Sequence, residues 1–273
     1  MPAMTNAADW SRAADPARRI GHAVEFHTEI GSTNDRARAA LSEPRGVGRA
    51  IVADLQTAGR GRRGRSWISP TGANLLVSVA WRPNIAPQLT GLLGIAAALA
   101  VRDACASLAP DAGLAIRWPN DVVEGTGRKV AGLLVETAIE HGALAEAVVG
   151  IGINVNWLPV DMPAEIRGSA TSLQVLRGEP IDRVELLDRV LGALDAEAAG
   201  LERDEAPVPR LRAASWLDGR QVEIDTGTER IAGLVAGIAD DGSLLLDGPA
   251  GRVALSVGEV VRVTELPPVG VPS

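Results

Sequence analysis

The sequence predicts a chain of mixed helices and strands in two units, the second small and all-β. Three observations carry that prediction. Apolar residues recur at helical spacing over residues 87–108 and again over 182–203. Between and before them lie short runs rich in Val, Ile and Leu, bounded by Gly, Asn and Asp, which is the pattern of strands. Beyond the prolines at 207 and 209 only short strands follow, split by Gly and Asp turns, over about fifty residues that suit a small barrel.

Composition sets the limits. At 273 residues the chain holds one sizeable core and a smaller second domain. The formal charge of −7 makes the whole molecule repel polyanions, which disfavours general nucleic-acid binding. Cys105 stands alone, so there is no internal disulfide framework, and three scattered histidines (His22, His27, His141) lack metal-ligand spacing. A cytoplasmic protein without a metal site of its own is expected. The N-terminus has no apolar signal core, and the apolar run over 92–101 meets Arg102 and Asp103 well short of the ~18 residues of a membrane span.

In order, residues 1–20 read as a disordered tail. Residues 23–30 form a strand, and Gly31–Ser32–Thr33–Asn34–Asp35 opens a helix to about residue 41, with Ser32 and Thr33 at the N-cap. Capping accounts for both hydroxyls, yet a helix start with free N–H groups is also a polar binding corner. Strands at 49–55 and 74–81 flank a loop. A strand at 114–117 runs into Trp118–Pro119–Asn120–Asp121 and continues through Val122 and Val123. A buried strand begins at Lys129, and its partner spans 144–155. Gly150 and Gly152 inside that partner suggest that something approaches the backbone there. Leu186, Leu187, Val190, Leu191 and Leu194 form the core stripe of the 182–203 helix, 207–209 is a linker, and the small unit has strands at 221–224, 229–238, 243–246 and 251–255. Residues 267–273 read as a flexible tail.

The chemistry concentrates in two places. The loop from Gln56 to Trp67, QTAGRGRRGRSW, sets Arg60, Arg62, Arg63 and Arg65 among Gly59, Gly61 and Gly64. Such a segment buries too little apolar surface to order itself, and arginine forks match phosphate oxygens in pairs. It reads either as an anion-binding flap or as a solvated basic patch. Lys129 is the only lysine among 27 lysines and arginines. A chain that uses arginine everywhere else retains lysine where a compact, strongly hydrated ammonium is required.

GSTN, QTAGRGRRGRSW, WPND, KVAGLLVE, GIGINVN and ATSL (170–173), in this order, resemble the biotin protein ligases over almost the whole span 24–263. The resemblance implies an α+β catalytic domain of class II aminoacyl-tRNA synthetase type over 21–208 and an SH3-like barrel over 215–266. It implies the joining of biotin to ATP as biotinyl-5'-AMP with release of pyrophosphate, then transfer to a lysine of a biotin carboxyl carrier protein domain. Magnesium would come with ATP. By the same resemblance Arg62 and Lys129 are catalytic. The biotin side comprises Ser32, Thr33, Asn34, Gln56, Gly59, Arg60, Arg62, Arg63, Gly64, Arg65, Trp67, Lys129 and Gly132, with Ser32, Thr33 and Gln56 on the ureido ring. Arg65, Trp67, Trp118, Asn120, Asp121 and Asn154 fall on the nucleotide side.

A mixed anhydride hydrolyses readily, so the arginine loop is expected to act as a lid that is disordered without ligand. Two departures matter. Arg117 stands where the family usually has lysine before WPND, and too few residues precede the first strand for a helix-turn-helix, so no operator binding is expected. Lipoate or octanoate ligases and transferases of the related family, and a basic binding module, remain alternatives at this stage. Pairing of two copies through sheet edges is open.

Overall fold

The computed structural model describes residues 6–141 and 143–264; the tail at 267–273 lies outside them. The chain runs α1 (Ala7–Trp10), β1 (Val24–Ile30), α2 (Thr33–Ala40), β2 (Ala50–Gln56), β3 (Leu75–Trp81), α3 (Leu93–Leu108), β4 (Ala115–Arg117), β5 (Asp121–Val123), β6 (Lys129–Glu140) and β7 (Ala143–Ile153). It continues through α4 (Ala164–Arg167), α5 (Leu173–Arg177), α6 (Arg183–Glu202) and α7 (Val208–Ala214). The small unit follows as β8 (Gln221–Asp225), β9 (Arg230–Ile238), β10 (Leu244–Gly248), β11 (Gly251–Leu255) and β12 (Glu259–Thr264).

The first seven strands make one sheet in the order β1-β2-β3-β7-β6-β5-β4, parallel at β1/β2 and antiparallel elsewhere. β2 as far as Asp54 and all of β3 are buried on both faces, and both strands read as mostly apolar runs, as strands covered on two sides do. On one face α2 sets Ala37 and Leu41 against Ile51, Ala80 and Val148. On the other, α3 packs over the sheet and α6 packs on α3, with Leu99, Val101, Leu187 and Leu191 in one core cluster. β8–β12 form an antiparallel sheet in the order β11-β10-β9-β8-β12, whose Val222, Leu244 and Leu246 join the main core. At that seam the Trp118 indole N–H donates to the Gly242 carbonyl at 3.0 Å.

Several sequence expectations need correction. Residues 6–20 are not a loose tail: Asn6 caps α1, Trp10 is fully buried and stacks on Phe26 at 5.9 Å, and the Arg183 guanidinium lies 5.1 Å over its ring. The backbone N–H groups of Arg19 and Ile20 donate to the Asp195 carboxylate at 3.1 and 2.9 Å. One large aromatic and a set of long-range partners outweigh the local polar composition. Val122 and Val123 do not continue the preceding strand; WPND turns the chain, and β4 pairs antiparallel with β5 through Ile116 and Val122. α3 runs through Arg102 and Asp103 to Leu108, as the helical spacing predicts, and these two residues pair with each other at 2.6 Å. Residues Leu89–Leu108 have the length and hydropathy of a membrane span, but 67% of that window is buried, as befits a core helix. Pro207 caps α7 rather than marking a linker, since proline suits a helix start. Sequence reading also missed β12.

Candidate active site

Three glycines on neighbouring strands clear the floor of a cavity of about 400 Å³. Gly132 pairs with Gly152 across β6 and β7, and Gly150 lies one step along the same face. A Cβ on Gly152 would fall 2.5 Å from Trp67 Cζ2, and one on Gly132 would fall 2.5 Å from Lys129 Nζ. On Gly150 it would fall 2.9 Å from Asn34 Cγ. The close approach that the glycines suggested is therefore made first by the protein's own side chains. The Trp67 ring lies on this floor, with Lys129 Nζ 5.3 Å from its centroid.

Lys129 opens β6, where its Nζ meets Asp121 Oδ1 at 2.7 Å, while Arg117 holds Asp121 Oδ2 at 2.9 Å. Burial pushes the Asp121 carboxyl up, but the charges of Lys129 and Arg117 outweigh it and keep the group below the ordinary carboxylate range. Asp121 thus stays ionised and fixes the ammonium at the cavity wall.

The hairpin between β5 and β6 closes on Glu124. Its carboxylate accepts the N–H of Thr126 at 2.9 Å, the N–H and Nε–H of Arg128 at 3.1 and 3.0 Å, and the Thr126 hydroxyl. Burial alone would raise this carboxyl, yet those bonds hold it down at about 2. A depressed folded-state value contributes stability that is complete above the ordinary carboxylate pKa of about 4.3 and is lost as pH falls toward about 2. Urea midpoints measured down to about pH 2.5 should therefore fall more steeply for the native chain than for Glu124→Gln. Parallel curves would refute this.

At the opposite end, Gln56 rather than Ser32 caps α2. Gln56 Oε1 accepts from Thr33 N at 2.8 Å and Thr33 Oγ1 at 3.0 Å, and Ser32, at the N-cap, makes no capping bond with its side chain. Ser78, fully buried in β3, sets its Oγ 2.7 Å from Thr33 Oγ1 and 2.6 Å from Asn34 Oδ1. Asn34 Nδ2 donates to Glu136 at 2.7 Å. Ser32, Thr33 and Gln56 all line the cavity, and these bonds fix the orientation of the latter two.

The arginine loop folds over the mouth. It closes as a short hairpin, with Gly61 N donating to Arg65 O at 2.6 Å and Trp67 N to Gly59 O at 3.0 Å. Arg63 takes a left-handed φ of 55°. The loop was expected to need an anion; here protein oxygens take that place. Arg60 grips Asp35 of α2 bidentately at 2.8 and 2.6 Å. Arg62 donates to Asn120 Oδ1 and Gly258 O, both at 3.1 Å, Arg63 pairs with Asp225 at 2.8 Å, and Arg65 pairs with Glu259 at 2.6 Å. Two carboxylates of the small unit partly neutralise a segment that is self-repelling alone, and the Gly258 and Asp225 carbonyls accept further bonds from it. Arg60, Arg62, Arg65 and Trp67 line the cavity, whereas Gly59, Arg63 and Gly64 do not.

Residues 29–154 match the biotin/lipoate A/B protein ligase family, and residues 219–263 match the biotin protein ligase C-terminal domain. The chain is 38% identical over 216 residues to the biotin--[acetyl-CoA-carboxylase] ligase of Paracoccus denitrificans, covering 77% of this chain and 88% of that protein. It is 35% identical over 246 residues to the corresponding ligase of Mycobacterium tuberculosis, covering 88% and 89%. It belongs to the biotin protein ligase family. The structure of the Aquifex aeolicus biotin protein ligase with biotin and ATP superposes with a TM-score of 0.75 at 28% identity, over 89% of this chain and 99% of that one.

In this ligase the remaining candidates take more structural places than the sequence implied. Asn154 is buried and donates to Thr171 O at 3.1 Å and Lys129 O at 3.3 Å, bracing the segment behind the lysine. Asn120 links the Arg62 guanidinium to the Leu133 carbonyl. Trp118 is buried against the small unit, although part of it reaches the cavity wall. Sequence reading missed Ser78 and Glu136 behind α2, and Glu259, Trp157 and Ala170 on the wall of the ligase cavity. A buried serine in an apolar strand was the one signal available for Ser78.

Proposed function

We propose that Lys129 and Arg62 carry the activation of biotin by ATP in this cavity. The chain is a biotin ligase, which joins biotin to ATP to give biotinyl-5'-AMP as pyrophosphate leaves the ATP, and passes biotin to a carboxyl carrier substrate. In the first step a carboxylate oxygen bonds to the α-phosphorus as the bond to pyrophosphate breaks, so two anions must meet and a third must leave. Positioned cations lower that barrier. The observation that carries the assignment is the sole lysine, held at 2.7 Å by an ionised Asp121 on the wall of a cavity that Arg62 also lines. Burial lowers the Arg62 pKa from its ordinary value, a mark of a desolvated guanidinium, though it stays charged.

Ser32, Thr33, Asn34 and Gln56 form the polar end, which suits the ureido ring of biotin, and Trp67 supplies an apolar wall. Magnesium would accompany ATP, would supply positive charge to the phosphates as pyrophosphate leaves, and would need few protein ligands. The carboxylates on the cavity wall, Asp121 and Glu259, are already ion-paired. The carrier domain's lysine amine then attacks the acyl carbonyl and AMP leaves. We assign the ligase to the cytoplasm and expect no sequence-specific DNA binding, which a gel shift would overturn.

Biotin should drive ATP–pyrophosphate exchange and lipoate should not. Arg62→Ala should lower kcat of that exchange by about 100-fold, whereas Arg63→Ala, off the cavity and on a half-exposed ion pair, should change it less than about threefold. Equal losses would refute the division between these two arginines.

A further inference from the structure

Lys129 is the first residue of β6, immediately after the tight turn at 124–128, so the placement of that turn sets where the ammonium stem begins. A side chain almost ninety residues later holds the turn. The Trp216 ring covers Gly127, where an added Cβ would lie 2.5 Å from Trp216 Cη2 and the φ of +88° already demands glycine. The Trp216 indole N–H also donates to the Gly125 carbonyl at 3.1 Å, so one side chain engages both glycines of the tip.

The ring is itself fixed on two sides. Trp216 N donates to Ile116 O at 2.9 Å, beside β4, whose Arg117 reaches Gly127 O at 3.2 Å and Asp121 at 2.9 Å. The Arg220 guanidinium lies 4.2 Å over the ring, with its Nε–H donating to Trp216 O at 2.7 Å, and Val235 N of the small sheet donates to Arg220 O at 2.9 Å. Beyond the turn, Lys129 N donates to Ser169 O at 2.8 Å and Thr171 N to Lys129 O at 2.9 Å. Lys129 is thus pinned after the turn by 169–171 and before it by Trp216.

We propose that Trp216 is a positioning residue for Lys129, so that the attachment of the small unit sets the placement of the ammonium in the cavity. This rests on Lys129 being catalytic. A misplacement of about 1 Å in a reacting group is enough to cost about 100-fold in rate, and the loss appears where the transition state, not the ground state, is stabilised. Glu124 ties the turn to itself through Thr126 and Arg128, but glycine at 125 and 127 offers no side chain of its own, so Trp216 is what joins the tip to the chain beyond residue 214.

The test is ATP–pyrophosphate exchange and single-turnover adenylate formation in full-length variants. Trp216→Ala should lower kcat about tenfold with the KM values for biotin and ATP within about threefold, and Trp216→Phe, which keeps a ring over Gly127, should recover most of the rate. Added to Lys129→Ala, the Trp216→Ala change should cost nothing further, because its effect passes through the lysine. An unchanged kcat, or the same fold loss in both backgrounds, would overturn the proposal. Full activity in Lys129→Ala would instead remove the catalytic reading of the lysine, a separate failure. Should Trp216→Ala not fold, Trp216→Phe, which lacks the N–H to Gly125 and the second ring of the indole, should by itself lower kcat about twofold to threefold, and no change there would count against the proposal.

Discussion

Changing Lys129 to alanine is expected to lower kcat for ATP–pyrophosphate exchange by about a thousandfold or more, which corresponds to about 4 kcal/mol of transition-state stabilisation. The loss should be large because the ammonium is the single lysine and is presented beside an ionised carboxylate that fixes it. Fold stability should change little, since Asp121 retains Arg117 at 2.9 Å as a counter-charge. Lys129→Arg should not restore the rate. The stem lies against Gly132 with its ammonium over the Trp67 ring, and a longer planar fork would have to displace that ring. Exchange assays with saturating biotin and ATP, with far-ultraviolet circular dichroism as the folding control, decide the matter. A Lys129→Ala protein within tenfold of the native rate would end the catalytic assignment.

Gly152→Ala is the second large effect. Its Cβ would enter the Trp67 ring, 2.5 Å from Cζ2 and 2.7 Å from Nε1, with sheet backbone behind it that cannot retreat. The ring must lift from the floor and into the space a ligand would use, taking with it the surface below the Lys129 ammonium. Biotin affinity measured by titration calorimetry should weaken about 100-fold, or about 3 kcal/mol. Gly168→Ala, where no atom lies within 4 Å of the added methyl, should leave the titration unchanged. Native affinity in Gly152→Ala would mean that the ring has room the geometry does not provide.

Much of this was legible in the sequence, for reasons tied to particular residues. The strands that build the sheet centre announce themselves because β2 and β3 are covered on both faces and are apolar but for Asp54, Gln56 and Ser78. Lys129 stands out because composition isolates it. Which arginine of the loop faces the cavity did not show. The left-handed φ of 55° at Arg63 turns that side chain toward Asp225 while Arg62 faces inward, and a run of arginines and glycines says nothing of such a twist. The hairpin of β4 and β5 was read as one strand because each arm is three residues long, too short for periodicity to reveal the reversal. Glu259 and Trp216 were invisible for another reason. Their partners lie in the loop and the β5–β6 turn, far away along the chain, and only folding brings them together.

The buried Trp10 also constrains how the enzyme can be handled. Its indole lies between the Phe26 ring and the Arg183 guanidinium, and Arg183 in turn forms a buried ion pair with Asp54 at 2.8 Å. A truncation that began at the first strand would strip the cover from that charge pair and open the seat of α6 to water. Purification tags belong ahead of Asn6, so that the cap of α1 and the seat of Trp10 are kept.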